Sequence, residues 1–445
     1  MTELGQLSCW VALLMAVWGA ALSCVGALTK RGAFVASGSR GVHAAALFVT
    51  LASAGLGWAL LTGDFSLRYV AAFTNEVLPL GYRLSAFWAG RAGSTLLAAL
   101  LLSACVPVAV AAARRRDGAV APWVTTALGA ALALLLSALA AGAAPFGRFD
   151  VAPVDGRGLD PALQHPGMAI LRPLAYLGYA ATLVALAHAL AAFASRRLEG
   201  PSPSGVRPWL IAAWCALGAS VLLALRVGYA EPGSGGYWPW RAPGAPHRSS
   251  GFDVVVALSV ALAVLVAGAR VRRAEEAGRA RRRRWAALVA GLTLLTLGFA
   301  GTAFRSEHVV SLADGESWRT ADPFGRAWSF TSQGASRIER PSYFLTSLAL
   351  RPERSGVRQP FLTTEWREFY GRDGRERFPP FITSGLRGSW IEDVSVMLVS
   401  LGPGRAVVRI SFVPLAGWVW FGGTLALAGG ALILAPVRSR ERADG

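Results

Sequence analysis

LSCWVALLMAVWGAALSCVGAL, residues Leu7 to Leu28, decides the fold. It holds no charged residue and is long enough to cross the hydrocarbon core, which takes about 20 apolar residues in a helix. Its short N-terminal flank is acidic (Glu3), and no small-x-small cleavage site followed by a soluble domain comes after it. An uncleaved membrane helix is therefore expected rather than a signal peptide. Comparable apolar runs recur near residues 43–62, 92–113, 121–143, 168–194, 208–228, 253–269, 285–303 and 414–436. Backbone groups in lipid must pair within their own segment, so each run is expected to be helical. The sequence thus predicts an all-α polytopic membrane protein of about nine transmembrane helices.

Composition agrees: 54% of the residues are hydrophobic and 16% are charged. A net charge of +18 could suit nucleic acid. In a membrane chain, excess Arg instead marks the cytoplasmic loops, so no nucleic-acid partner is expected. Lys30 is the only lysine, which excludes a Gly-x-x-x-x-Gly-Lys nucleotide loop. Cys9, Cys24, Cys105 and Cys215 lie in apolar runs without a C-x-x-C pair, and small apolar packing accounts for them.

Every second connection is basic: Lys30, Arg31 and Arg40; Arg114 to Arg116; Arg196, Arg197 and Arg207; eight Arg within 270–284; and Arg438, Arg440 and Arg442. The positive-inside rule makes these cytoplasmic. The expected location is a bacterial inner membrane, with the N-terminus outside and the C-terminus in the cytoplasm. Residues 63–91, 144–167, 229–252 and 304–413 then lie outside. The last of these has short alternating stretches, such as Arg405 to Phe412, punctuated by Gly, Pro, Asp and Ser. It reads as a small extracytoplasmic β-rich domain. The predicted domains are a membrane domain at 1–303, a β-rich domain at 304–413, and a final helix with its tail at 414–445.

Two outer connections carry most of the information. Residues 229–240, YAEPGSGGYWPW, combine aromatic rings with glycines, so a flat apolar molecule could lie close to the backbone. An interfacial aromatic belt has the same composition. Residues 154–170, VDGRGLDPALQHPGMAI, are dense in Gly and Pro, which implies a fixed turn.

Asp155–Tyr179 and Leu61–Ser94 resemble the corresponding stretches of the CcmF/NrfE-type haem lyases of cytochrome c maturation. So do Arg207–Cys215, Glu307–Ser317, Ile382–Leu386 and Gly417–Gly423. The chain looks like a shortened, divergent member, lacking a block of central helices before Arg281. The resemblance implies that residues 229–252 are a WWD haem-binding loop in which Tyr237, Trp238 and Trp240 face the porphyrin. It implies haem as cofactor, with apocytochrome c, other maturation subunits and the lipid bilayer as partners. Members of the family ligate haem through four histidines, and here those positions depart. The histidine after the PGMAI turn is Leu171, followed by Arg172, and the histidine of the last inward-facing helix is Val289. The aspartate closing the WWD motif is Arg241, the glutamate three positions later is Gly244, and the Glu-Gly-Ser of the first outer loop is Ala92-Gly93-Ser94.

Haem iron needs axial donors such as His, Met, Cys or Tyr. Among His43, His165, His188, His247 and His308, only His165 and His247 lie in the two outer connections on either side of the helix pair 168–194 and 208–228. They are the candidate iron ligands, and solvated loop histidines are the alternative. Arg172, Arg241 and Arg248 are candidate propionate holders, because Arg grips carboxylates in a forked geometry. The functional expectation is haem handling and delivery or attachment to apocytochrome c, as a haem lyase subunit. The alternative is a non-catalytic scaffold of the assembly complex that has lost haem ligation.

Overall fold

The computed structural model describes residues 2–142, 145–195, 205–231, 279–302, 304–340, 343–370 and 376–435. The expected helix at 253–269 lies outside the described residues. The long helices are α1 (Thr2–Thr29), α2 (Gly32–Thr62), α5 (Arg91–Arg116), α6 (Ala121–Gly142), α7 (Pro166–Ala194), α8 (Val206–Ala230), α9 (Arg279–Thr302) and α10 (Ala416–Leu434). Seven of them are long and apolar enough to cross a membrane, and α9 holds a shorter apolar stretch, Arg284–Leu295. The chain is a polytopic, mostly helical membrane protein with a C-terminal β-rich domain.

One expected boundary is wrong. The second helix begins at Gly32 rather than near His43, and the basic connection shrinks to a tight turn in which Lys30 takes φ 56°. The extra turns are poor in bulky apolar residues but rich in small ones. A Cβ on Gly38 would lie 2.3 Å from the Ser23 hydroxyl, and one on Gly26 would lie 2.7 Å from the Val35 amide. Small residues let two helix backbones approach closely, and α1 and α2 use them along their length. His43 therefore sits inside α2, with its Nδ1 2.7 Å from the Ser39 carbonyl.

The strands are β1 (Ser306–Ala313), β2 (Ser317–Ala321), β3 (Ala327–Arg340), β4 (Tyr343–Arg354), β5 (Val357–Arg358), β6 (Leu362–Tyr370), β7 (Glu376–Thr383), β8 (Gly385–Arg387), β9 (Glu392–Gly402) and β10 (Arg405–Pro414). They form a four-stranded sheet in the order β1-β10-β9-β8 and a larger sheet in the order β2-β3-β4-β6-β7, with β5 paired to β4. All pairs are antiparallel. Alternate residues of both sheets meet in one core that includes Trp328, Phe330, Leu348, Val396, Ile410 and Phe412.

The β domain sits on one end of the bundle, where α8 and α9 end and α7 and α10 begin. Lys30, Arg31, Arg114 to Arg116 and Arg284 fall at the opposite end. There Arg284 donates to the Leu432 and Ala435 carbonyls, satisfying the exposed end of α10.

Candidate functional site

At the β-domain end, two of the stretches that carry the resemblance, Leu61–Ser94 and Asp155–Tyr179, dock onto each other. The first comprises two short helices, α3 (Arg68–Phe73) and α4 (Leu80–Ser85), and a tight turn at Ala86–Trp88. Tyr69, 8% exposed, pins this turn. Its hydroxyl lies 2.9 Å from the Phe87 carbonyl and 3.1 Å from that of Ala86, and it accepts from the Gly90 amide at 3.0 Å. Arg83 donates to the carbonyls of Leu61, Glu76 and Leu78. A Cβ on Gly93 would fall 1.8 Å from the Phe87 carbonyl oxygen, so only glycine fits there.

The second stretch lies across the first. Arg157 and Gly158 donate their amides to the carbonyls of Ala71 and Thr74, and Asp155 accepts from the Glu76 amide at 3.0 Å. A Cβ on Gly156 would meet the Thr74 carbonyl at 1.9 Å, and Gly158 takes φ +92°. Asp160 caps the following turn by accepting from the Ala162 amide. The density of Gly, Pro and Asp in this segment thus encodes a fixed platform across the helix ends.

His165 closes the platform and starts α7. Its Nδ1 accepts from the Gly167 amide at 3.0 Å, so in the neutral ring the proton is on Nε2, which lies 3.6 Å from Glu231 Oε1. Glu231 ends α8 and is 8% exposed. Burial raises its pKa to about 7; Arg367 opposes that rise and Glu365 adds to it. Burial also lowers the pKa of His165, helped by Arg367 and Arg226. Arg367 Nη2 pairs with Glu365 at 2.5 Å on β6, so the β domain supplies one wall of this cluster. A neighbouring clasp joins α8 to β9: the Tyr229 hydroxyl donates to Asp393 Oδ2 at 3.0 Å, and the Ser389 amide donates to Oδ1 at 2.9 Å.

Of the expected site residues, only His165 and Arg172 are described. Tyr237, Trp238, Trp240, Arg241, His247 and Arg248 lie outside the described residues. Arg172 is half-buried and donates to the Trp88 carbonyl at 3.2 Å, so it holds the platform to α7. His165 fits an iron ligand poorly. Bound through Nε2, a neutral ring would have to move its proton to Nδ1 and give up the Gly167 cap. The aligned positions give no substitute: Leu171 is a buried apolar residue and Val289 is 57% exposed on the outside of α9. Among the described residues, no group of three or more His, Cys, Asp or Glu could hold a metal ion.

Glu231, Tyr69, Arg83 and the Tyr229–Asp393 pair were not singled out from sequence. Glu231 left one trace: it is the only acidic residue between Arg207 and Ser250. Glycines in two of the quoted motifs, one in the β domain and one in the last helix, sit in close packing contacts. A Cβ on Gly385 would lie 2.8 Å from Thr363 backbone, and one on Gly422 would lie 2.4 Å from the Leu295 amide of α9.

No family model matches the chain. It is similar to the cytochrome c-type biogenesis protein CcmF of Pseudomonas aeruginosa, with 34% identity over 239 residues, 54% of this chain and 36% of that protein. It is also similar to a probable cytochrome c-type biogenesis protein NrfE of Escherichia coli K12, with 35% identity over 200 residues, covering 45% and 36%. The chain thus spans little more than a third of the length of these curated relatives. A solved structure titled Cytochrome c Heme Lyase CcmF superposes with a TM-score of 0.72 at 20% identity, covering 98% of both chains, which establishes the shared fold. By these matches the chain shares the fold of the solved CcmF structure and is similar, over about half of its length, to the CcmF and NrfE cytochrome c-type biogenesis proteins.

Proposed function

We propose that the protein acts in cytochrome c maturation, on the β-domain side of a bacterial inner membrane, by handling haem for apocytochrome c. One observation carries this reading. Leu61–Ser94 and Asp155–Tyr179, the stretches that resemble the family, interlock through backbone hydrogen bonds and the Asp155 carboxylate into one platform. The residues expected to form a haem shelf follow directly in sequence from Glu231 at its edge. Haem supplies the reactive vinyl groups, and the protein contributes position and the exclusion of competing routes. The chain's own residues would hold the platform rigid and keep the β domain seated over it through Arg367, Asp393 and Tyr229. His165 acts here as a helix cap facing Glu231, not as a grip on iron.

The second reading is a scaffold subunit that binds assembly partners without haem. The absence of a histidine at positions 171 and 289 favours it. Purification in mild detergent, followed by absorbance spectroscopy and haemin titration, separates the two. Haem handling predicts a saturable Soret change that persists in His165→Ala. No haem signal, with other maturation proteins still copurifying, supports the scaffold. A low-spin Soret band abolished by His165→Ala would overturn the capping assignment.

A further inference from the structure

The turn between β8 and β9 carries Trp390 and Ile391, which are 64% and 51% exposed. Their height relative to the bilayer is fixed by the first turn of α10. The Leu415 amide donates to the Ile391 carbonyl at 2.8 Å, and Trp418 Nε1 donates to the Trp390 carbonyl at 2.9 Å. The Trp390 ring meets the Phe421 ring edge-on at 5.5 Å. Phe421 is 49% exposed, about 7 Å along the span from Ala416 at 1.5 Å rise per residue. Trp390 therefore lies down the lipid side of a membrane helix. The turn is rigid: Ser389 Oγ accepts from the Glu392 amide at 3.1 Å, and Asp393 accepts from the Ser389 amide at 2.9 Å.

Two arginines stand behind this wedge. The guanidinium carbons of Arg354 and Arg387 each lie 5.9 Å from the centre of the Trp328 ring. Arg326 beside them is neutralised by Asp322 and Glu392. Among the described residues, neither Arg354 nor Arg387 has a carboxylate within ion-pair distance; burial, and after it repulsion from Arg354, lowers the Arg387 pKa, and Glu392 opposes that fall. Arg387 precedes Trp390 by three residues, at most about 10 Å of extended chain. The headgroup layer is about 5–7 Å thick on each side of the core, so an arginine this near Trp390 in the chain is within reach of it. Phe324, 51% exposed, sits under the Arg326 guanidinium on the same rim.

We propose that this rim of the β domain is a membrane-docking surface for anionic phospholipid. Trp390 and Ile391 insert at the acyl boundary, and Arg354 and Arg387 bind headgroup phosphate. Arginines without an ion-pair partner among the described residues, in a partly desolvated setting, favour phosphate through charge-assisted hydrogen bonds, and aromatic residues at the interface anchor the depth. The lipid would hold the β domain at a fixed tilt over the bundle, alongside the Tyr229–Asp393 clasp.

The test uses the full chain in detergent with added phosphatidylglycerol or phosphatidylcholine, followed by native mass spectrometry and thermal unfolding. Phosphatidylglycerol is expected to bind and stabilise with at least fivefold higher apparent affinity than phosphatidylcholine. The Arg354→Gln/Arg387→Gln double variant should lose that preference, and the double Arg→Lys variant should keep most of it. In bilayers with brominated acyl chains, wild type should lose more tryptophan emission than Trp390→Phe. Equal affinity for the two lipids, or an unchanged preference in the Gln variant that still unfolds cooperatively, would overturn the proposal. So would the same stabilisation by millimolar inorganic phosphate alone.

Discussion

Tyr69→Phe tests whether the platform is held by one hydroxyl. The substitution keeps the ring and its contact with Phe73, at 4.8 Å between centroids. It removes the acceptor of the Gly90 amide and the donor to the Phe87 carbonyl. The Ala86 carbonyl keeps a second partner in the Ala89 amide. One buried backbone carbonyl and one partly buried amide are therefore left without this partner. At about 1–3 kcal/mol for each, partly relieved by relaxation, the expected loss is about 2–4 kcal/mol. The assay is thermal unfolding in detergent with a thiol-reactive dye, since Cys105 is buried and the other three cysteines are partly so. The midpoint should fall clearly, and haem-linked activity should fall with it even at temperatures where the variant stays folded. A loss below about 0.5 kcal/mol would refute the claim that the hydroxyl organises the turn.

Gly93→Ala should prevent accumulation of folded protein, because the new Cβ would meet the Phe87 carbonyl at 1.8 Å; normal yield by size-exclusion chromatography would contradict this. Tyr229→Phe should loosen the β domain from α8 and speed limited proteolysis of residues 304–415, while the helical circular dichroism stays unchanged. Glu231 gives a pH prediction. Its folded pKa of about 7 lies above the ordinary 4.5, so between these values the native state holds a proton that the unfolded chain has released. That contribution is complete below about pH 4.5 and is lost as pH rises through 7. Glu231→Gln should therefore flatten the stability profile between pH 5 and 7 and be more stable than wild type at pH 8. A profile parallel to wild type would sink the assignment.

Much of the fold is legible in the sequence because bilayer crossing has a simple requirement, a long apolar run such as Leu7–Leu28. The start of α2 is not, because hydropathy undervalues Gly32–Gly41, whose worth lies in letting α1 come close. The β domain is visible through alternation in β10, but the pairing of β1 with β10 across some ninety residues is a matter of topology. The candidate site is the least legible part. Asp155–Ala169 reads as rigid from its Gly and Pro content, yet what it grips (Ala71, Thr74 and Glu76) lies far upstream. His165 looks like a ligand by residue type, and only its contacts with Gly167 and Glu231 reveal a cap. Glu231 gains its raised pKa from residues far apart in sequence, among them Glu365 of the β domain, and no local pattern carries that information.

The most direct measurement is the content of covalently attached haem in c-type cytochromes, read by peroxidase staining of denaturing gels, in cells deleted for this chain and in the same cells carrying it on a plasmid. Participation in cytochrome c maturation predicts loss of stained bands on deletion, full recovery with wild type and reduced recovery with Tyr69→Phe. Undiminished staining in the deletion strain would contradict it.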